Sequence, residues 1–172
     1  MNTQVVVLTR AQAELELDLL ELEAEEVEDG MLFAKLRSLE IPREVAIRLE
    51  ALAGVTRKVG GKLVAIGKII ILKLIEFVEK HPNMAVGIAL GAALSTLITA
   101  IPVLGPLLAP VALALGVAVG GIAGHGVDKG VTSPVEVIAI TQDVIEIARV
   151  FFAWLIALFR AVADELMEGS AA

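Results

Sequence analysis

The spacing of apolar and polar positions changes from one stretch of this chain to the next, and each change predicts an element. From Thr9 the leucines alternate with acids, Ala13-Glu-Leu-Glu-Leu-Asp-Leu-Leu-Glu-Leu-Glu. That alternation partly resembles a strand, but Leu, Glu and Ala are strong helix formers and β-branched residues are few, so a helix is expected. Thr9 with Gln12 has the form of a capping box, which opens the helix and carries it through Ala24 or beyond. Asp29-Gly30 is expected to end it. A second helix is predicted over Met31 to Leu39, and a third to about Ala53 with Pro42 as its first residue. Gly60-Gly61 then breaks the chain before Lys62 to Lys80, an amphipathic stretch. Lys62, Lys73, Glu76 and Lys80 fall near one face there, with Lys68 to the side. Such a helix suits a lipid interface, its lysines reaching the headgroups.

From Pro82 to Gly124 the pattern stops, because no Asp, Glu, Lys or Arg occurs. Two apolar arms, Met84 to Ile101 and Val111 to Gly124, flank a proline-rich centre. The first, as a helix of 18 residues, would be about 27 Å long. The hydrocarbon core of a bilayer is roughly 30 Å thick. Pro102, Gly105, Pro106 and Pro110 form the expected tip, since prolines do not continue a helix and favour reversal. Gly87, Gly91, Ser95 and Thr99 recur every four residues in the first arm. Ala112, Gly116, Gly120 and Gly124 do so in the second. Folded about Gly105-Pro106, the two ladders pair in register, and small faces of this kind let helices approach closely in lipid. The same ladders can also pack neighbouring subunits. His81 and His125 bracket the hairpin.

Beyond Gly130, Ser133-Pro134-Val135-Glu136 is a helix start, with an N-cap, a proline at the first position and an acid at the third. The helix is predicted to run to about Met167. Glu136, Asp143, Glu146, Arg149, Arg160 and Asp164 fall on a narrow polar stripe. Val150 to Phe159 is an apolar run, in which Trp154 and Phe159 suit an interfacial or buried place.

Composition strengthens the membrane expectation. The chain is 57 % hydrophobic with mean hydropathy +0.83, whereas soluble domains sit near about 45–50 % apolar. Net charge is −7, unevenly spread. Residues 1–50 carry 5 basic and 12 acidic groups, residues 51–81 carry 6 and 2, and the remainder 3 and 7. A basic neck beside a span favours anionic lipid and the cytoplasmic side, so both termini are expected there. The acidic head reads as a solvated cap or as a docking surface for a basic partner. Nucleic acid is not an expected partner, because the basic stretch is rich in Ile and Leu and holds one aromatic, Phe77. Val5 to Leu8 is too short for the core of a secretory signal.

Catalytic chemistry is sparse. Cysteine and tyrosine are absent and histidines number two, which leaves no paired ligand spacing for a metal. Ser38, Ser95, Ser133 and Ser170 lack a nucleophile-elbow setting. Gly124-His-Gly-Val-Asp-Lys-Gly130 lacks the Gly-Lys-Ser/Thr ending of a phosphate loop. No enzyme activity, cofactor, metal or small-molecule substrate is expected. The sharper lead is charge within apolar stretches: Lys62, Lys68, Lys73, Glu76, Glu146 and Arg149 either line an aqueous path in a ring of subunits or pair with other charges.

The chain therefore divides into an acidic helical cap (1–55), a basic amphipathic helix (56–81), a transmembrane or re-entrant hairpin (82–126) and a C-terminal amphipathic helix (127–172). The fold class is all-α, a membrane-associated hairpin flanked by amphipathic helices. Over Ala85 to Gly121 the chain resembles the hydrophobic hairpin of pore-forming colicins in its two Ala/Gly/Leu/Val-rich helices and uncharged tip. The resemblance implies a hairpin that is buried in a helical bundle and inserts into a target membrane. It does not extend to a receptor-binding or translocation region. The leading expectation is an oligomeric pore or channel of toxin, holin-like or defence-effector type, with anionic lipid and further copies of itself as partners. The alternatives are a membrane-shaping scaffold hairpin and a soluble homo-oligomer that hides the hairpin between subunits.

Overall fold

Thr9 opens the first helix as its spacing predicts. Its hydroxyl accepts from the Gln12 backbone N–H at 3.2 Å, and the Gln12 side chain accepts from the Thr9 N–H at 3.0 Å, so two otherwise orphaned donors are satisfied. The computed structural model describes residues 7–116 and 142–168, with side chains as far as residue 166. In chain order it gives α1 (Arg10–Glu26), α2 (Asp29–Ser38), α3 (Arg43–Ala53), β1 (Arg57–Val59), β2 (Lys62–Val64), α4 (Ile66–Lys80), α5 (Val86–Ala100) and α6 (Gly105–Leu115). Then come α7 (Gln142–Ala161) and α8 (Ala163–Glu168). Helix accounts for 79 % of the described residues, so the all-α class stands.

Several boundaries differ from expectation, each for a local reason. Asp29-Gly30 begins α2 instead of ending α1, which stops at Glu26; an acid in a first helical turn faces unpaired N–H groups favourably. Lys62 is not helical. Gly60 and Gly61 have φ of 60° and 78° and form the two-residue turn of an antiparallel hairpin in which Val59 faces Lys62. A positive φ at both central positions is the geometry of a type I′ turn, and glycine adopts it freely. The basic helix is thereby shortened to Ile66–Lys80. The C-terminal helix breaks at Val162, which separates α7 from α8. Its expected start at Ser133 lies outside the described residues.

The apolar hairpin is described as far as Gly116, and the rest of its second expected arm lies outside the described residues. Its reversal falls at Ile101 to Leu104, through a 3-10 turn at Pro102–Leu104, not at Gly105-Pro106. A residue before proline is pushed out of the helical region, and Ile101 sits at φ −130°, ψ 82°, which stops α5. Gly105 and Pro106 already belong to α6, where proline in a first turn loses no bond. Pro110 lies inside α6 on its exposed side. At 15 and 11 residues, the helices span about 22 and 16 Å at 1.5 Å per residue. None of the described helices is long and apolar enough to cross a membrane.

These elements form a bundle with α5 at its centre. α7 lies along α5 most extensively, with α6 and α4 on its other sides, and α3 packs on both α6 and α4. α1 closes over α7 and α4, while α8 rests on β1 and the 3-10 turn. α3 and α4 approach closely. At Gly67 a Cβ would sit 1.7 Å from the Leu52 carbonyl oxygen, and the Gly67 N–H donates to the Val55 carbonyl at 3.1 Å. Only a residue without a side chain lets the backbones meet there.

Candidate functional site

The hairpin identified from sequence is the most distinctive feature of the folded chain, and the bundle is arranged around it. Ala89, Leu90, Gly91, Ala92, Ala93, Leu94, Thr96 and Leu97 of α5 are buried. They follow one another almost without a gap, so α5 shows solvent little more than its ends. An amphipathic helix buries a stripe; one that is apolar all round needs cover on every side. Here the cover comes from the chain itself. The Ser95 and Thr96 hydroxyls are buried and find no hydrogen-bond partner.

Charged groups on the surrounding elements fasten that cover. The Arg160 guanidinium of α7 donates to the Ala100 carbonyl at 2.9 Å, placing positive charge at the C-terminus of α5, where the helix dipole favours it. Arg10 of α1 reaches Asp164 at 3.0 Å and Glu165 at 2.9 Å. Glu165 also accepts the Gly60 N–H at 3.1 Å. The hydrogen bond that Arg10 donates to Glu165, with the charges of Asp164 and Glu165, raises the Arg10 pKa above its ordinary value. α8, the β-hairpin and α1 are thus joined at one end of the bundle. The tip residues Val103, Leu104, Pro106 and Leu107 border a cavity of about 90 Å³ there, completed by Arg57, Ile66 and Leu166.

The residues singled out from sequence fall into three groups. Of the small-residue ladders, Gly91 is buried in α5, Gly87 and Ser95 are half-buried, Thr99 is exposed and Ala112 is buried in α6. Gly116 ends α6 with φ 77°, its N–H turned back to the Ala112 and Leu113 carbonyls. It acts there as a left-handed helix cap. Gly120, Gly124 and His125 lie outside the described residues. At the tip, Pro102 and Pro106 are exposed and Gly105 half-buried.

The charges are paired within the chain. Lys62 meets Asp18 at 3.2 Å, and Lys73 and Lys80 both meet Glu76, at 3.2 and 3.1 Å. Arg149 meets Glu146 at 3.2 Å. Lys68 is the most enclosed, its side chain 12 % exposed, and it bonds to Asp29 at 3.0 Å and to the Val27 carbonyl. It ties the junction of α1 and α2 to α4. Burial pushes the Glu76 carboxyl up, but hydrogen bonds from Lys80 and Lys73 and their charges outweigh it and hold the group below its ordinary value. His81 caps α4, its Nδ1 2.8 Å from the Phe77 carbonyl oxygen. The Phe77 ring packs against His81, Phe151 and Phe152, with centroids 4.5, 5.1 and 5.4 Å away. This cluster locks α4 to α7.

The surface carries a feature that the sequence analysis passed over. Leu15, Leu19 and Leu22 of α1 are 61 %, 49 % and 58 % exposed. Their spacing of four and three residues puts them on one stripe, opposite the buried Ala13, Leu17, Leu20 and Ala24. The alternation that resembled a strand is two leucine faces on one helix. Among the described residues no cluster of His, Cys, Asp or Glu could hold a metal ion.

No family model matches this chain, and neither the curated proteins nor the solved structures provide a match.

Proposed function

We propose that this protein is a non-enzymatic, membrane-active helical protein whose apolar hairpin leaves the bundle, enters lipid and assembles with further copies into a pore. The observation that carries the reading is α5, a helix without charge that lies at the centre of the bundle, covered by its uncharged hairpin partner α6 and by the charge-bearing helices α4 and α7. Burial against the chain and burial in lipid remove the same apolar surface from water, so exchanging one for the other costs little hydrophobic free energy. The idle Ser95 and Thr96 hydroxyls are the groups that hydrogen-bond between helices within a membrane. Anionic lipid and a second copy are the proposed partners, with both termini on the cytoplasmic side.

A second reading, a hairpin that enters one leaflet and shapes the bilayer without conducting, is favoured by the helix lengths. About 22 and 16 Å fall short of the roughly 30 Å hydrocarbon core. The test uses the full chain purified without detergent and incubated with dye-loaded phosphatidylglycerol vesicles, followed by flotation. Flotation with dye release supports the pore; flotation without release supports the scaffold. A protein that neither floats nor releases dye overturns both. Pro106→Asp separates insertion from folding. Pro106 is exposed in the first turn of α6, where an acid suits the helix terminus, so the fold should persist. A charged tip must cross hydrocarbon at about 2.5–3.5 kcal/mol or more, so release should fall by at least about tenfold.

A further inference from the structure

The leucine stripe of α1 is a surface of a different kind from the hairpin. We infer that Leu15, Leu19 and Leu22, with the carboxylates beside them, form the docking face for a basic amphipathic helix of another protein. Glu16 and Glu23 border the stripe on one side, Asp18 and Glu25 on the other, and Glu26 continues it at the C-terminal end, following the 100° step of the helix. Glu16, Glu23, Glu25 and Glu26 have no ion pair among the described residues, whereas the other acids of α1 are engaged. Glu14 holds Arg10, Asp18 holds Lys62, and Glu21 accepts the Ala65 N–H at 2.8 Å. Apolar anchors spaced by four and three residues are what a helix-on-helix contact reads, and the rim of free carboxylates selects the sign of the partner's flanking charge.

Charge also decides against the other occupants. Two copies meeting through this stripe would set carboxylate against carboxylate on both flanks. The chain has little basic surface of its own to offer instead. Among the described residues Arg43, Arg57, Lys58 and Arg160 lack an acidic partner, Arg57 and Arg160 being bonded to backbone carbonyls, and the four are spread over α3, β1 and α7. Lys35, Arg37 and Arg48 are paired with Glu79, Glu50 and Glu44. Anionic lipid is repelled by the same carboxylates. The inference is independent of the proposed pore, because the stripe is accessible with the hairpin in place.

The test measures binding of the full chain to a synthetic helical peptide with leucines at a and d positions and lysines flanking them. A scrambled peptide of the same composition serves as control. The expected result is binding of the amphipathic peptide alone. It should weaken about tenfold or more in Leu15→Ser/Leu19→Ser/Leu22→Ser, which removes apolar contact and leaves the charge unchanged. Glu16→Lys/Glu23→Lys/Glu25→Lys keeps the leucines and should lose the lysine peptide while gaining one flanked by glutamates. The leucine positions, Glu23 and Glu25 are exposed and Glu16 is half-buried, and circular dichroism checks that both variants fold. No binding, equal binding of the scrambled peptide, or full binding to the serine variant overturns the inference. So does a wild-type dimer by light scattering that the serine variant abolishes, which would assign the face to a second copy. Flotation with vesicles that depends on the three leucines would assign it to lipid and overturn it equally.

Discussion

α5 and α1 are both leucine-containing helices of similar length, and they use their apolar residues in opposite ways. α5 carries no charge, and the other helices cover it all round. α1 carries seven acids and one arginine and still has two leucine faces, one toward the bundle and one toward water. An average over each helix hides the difference, since a helix with apolar stripes on opposite sides has little net amphipathicity. What separates them is the placement of charge. Where no charge interrupts the circumference, the helix needs cover on every side and ends in the core. Where carboxylates divide the circumference into sectors, one sector can dock on the bundle and another stays free for a partner.

Substituting the same charge into both helices tests this contrast most severely. Leu94 is fully buried in α5, so Leu94→Lys places an unpaired ammonium in the core. It should cost about 3–5 kcal/mol or more, much of the stability of a domain of this size. Leu19→Lys on α1 should change stability by less than about 0.5 kcal/mol. Urea unfolding of the two variants checks the pair. Equal tolerance would mean that α5 does not hold the central position.

Gly67→Ala addresses what holds the cover against the core. The added Cβ would fall 1.7 Å from the Leu52 carbonyl oxygen, which belongs to backbone and cannot swing aside. α3 and α4 must separate, at a cost of about 1–3 kcal/mol, read as a lower midpoint in thermal unfolding. Gly30→Ala is the control, because a Cβ there meets nothing within 4 Å. If the two midpoints coincide, the close approach of α3 and α4 is wrong.

These particular residues show why the sequence was legible in parts. The α1 cap, the helical class and the existence of an apolar hairpin followed from local rules, and Thr9–Gln12 needs no tertiary information. The cover of α5 did not follow, because an uncharged helix looks the same whether lipid or protein surrounds it. Only the packing of α4, α6 and α7 distinguishes the two. Gly60-Gly61 is legible as a break, but strands of three residues on either side are too short to show a period of their own against the helix formers of Lys62–Lys80. The outward stripe of α1 was readable in the spacing of Leu15, Leu19 and Leu22. The acids alone allow a solvated cap or a docking surface for a basic partner, and burial on the opposite face is what separates the outward leucines from the inward ones.

Arg160→Met examines a single fastening of α5. The substitution keeps most of the apolar stem and removes the donor to the Ala100 carbonyl, along with the positive charge at the α5 terminus. Arg160 is exposed, so the loss should be about 0.5–1.5 kcal/mol. If the hairpin enters lipid as proposed, loosening its tip should also speed vesicle association at unchanged lipid composition. A variant that is less stable yet no faster would separate the cap from any part in release.

The smallest expected effect concerns the Lys73–Glu76–Lys80 ladder on the exposed side of α4. The Glu76 carboxyl sits below its ordinary value of 4.5 in the folded chain, so folding favours its charged form. Its contribution is therefore present above that ordinary value and is lost as pH falls through the lower folded value. Glu76→Gln should lower the thermal midpoint at pH 7, by an amount that shrinks as pH falls below 4.5. Because the side chain is 39 % exposed, solvent screens the pair and the difference at pH 7 should stay within about 1 kcal/mol. High salt should shrink it further, since screening weakens exposed pairs first. A gap that does not shrink in acid, or survives molar salt, would show that Glu76 stabilises α4 through packing of its stem, and the ladder would drop out of the electrostatic cover around α5.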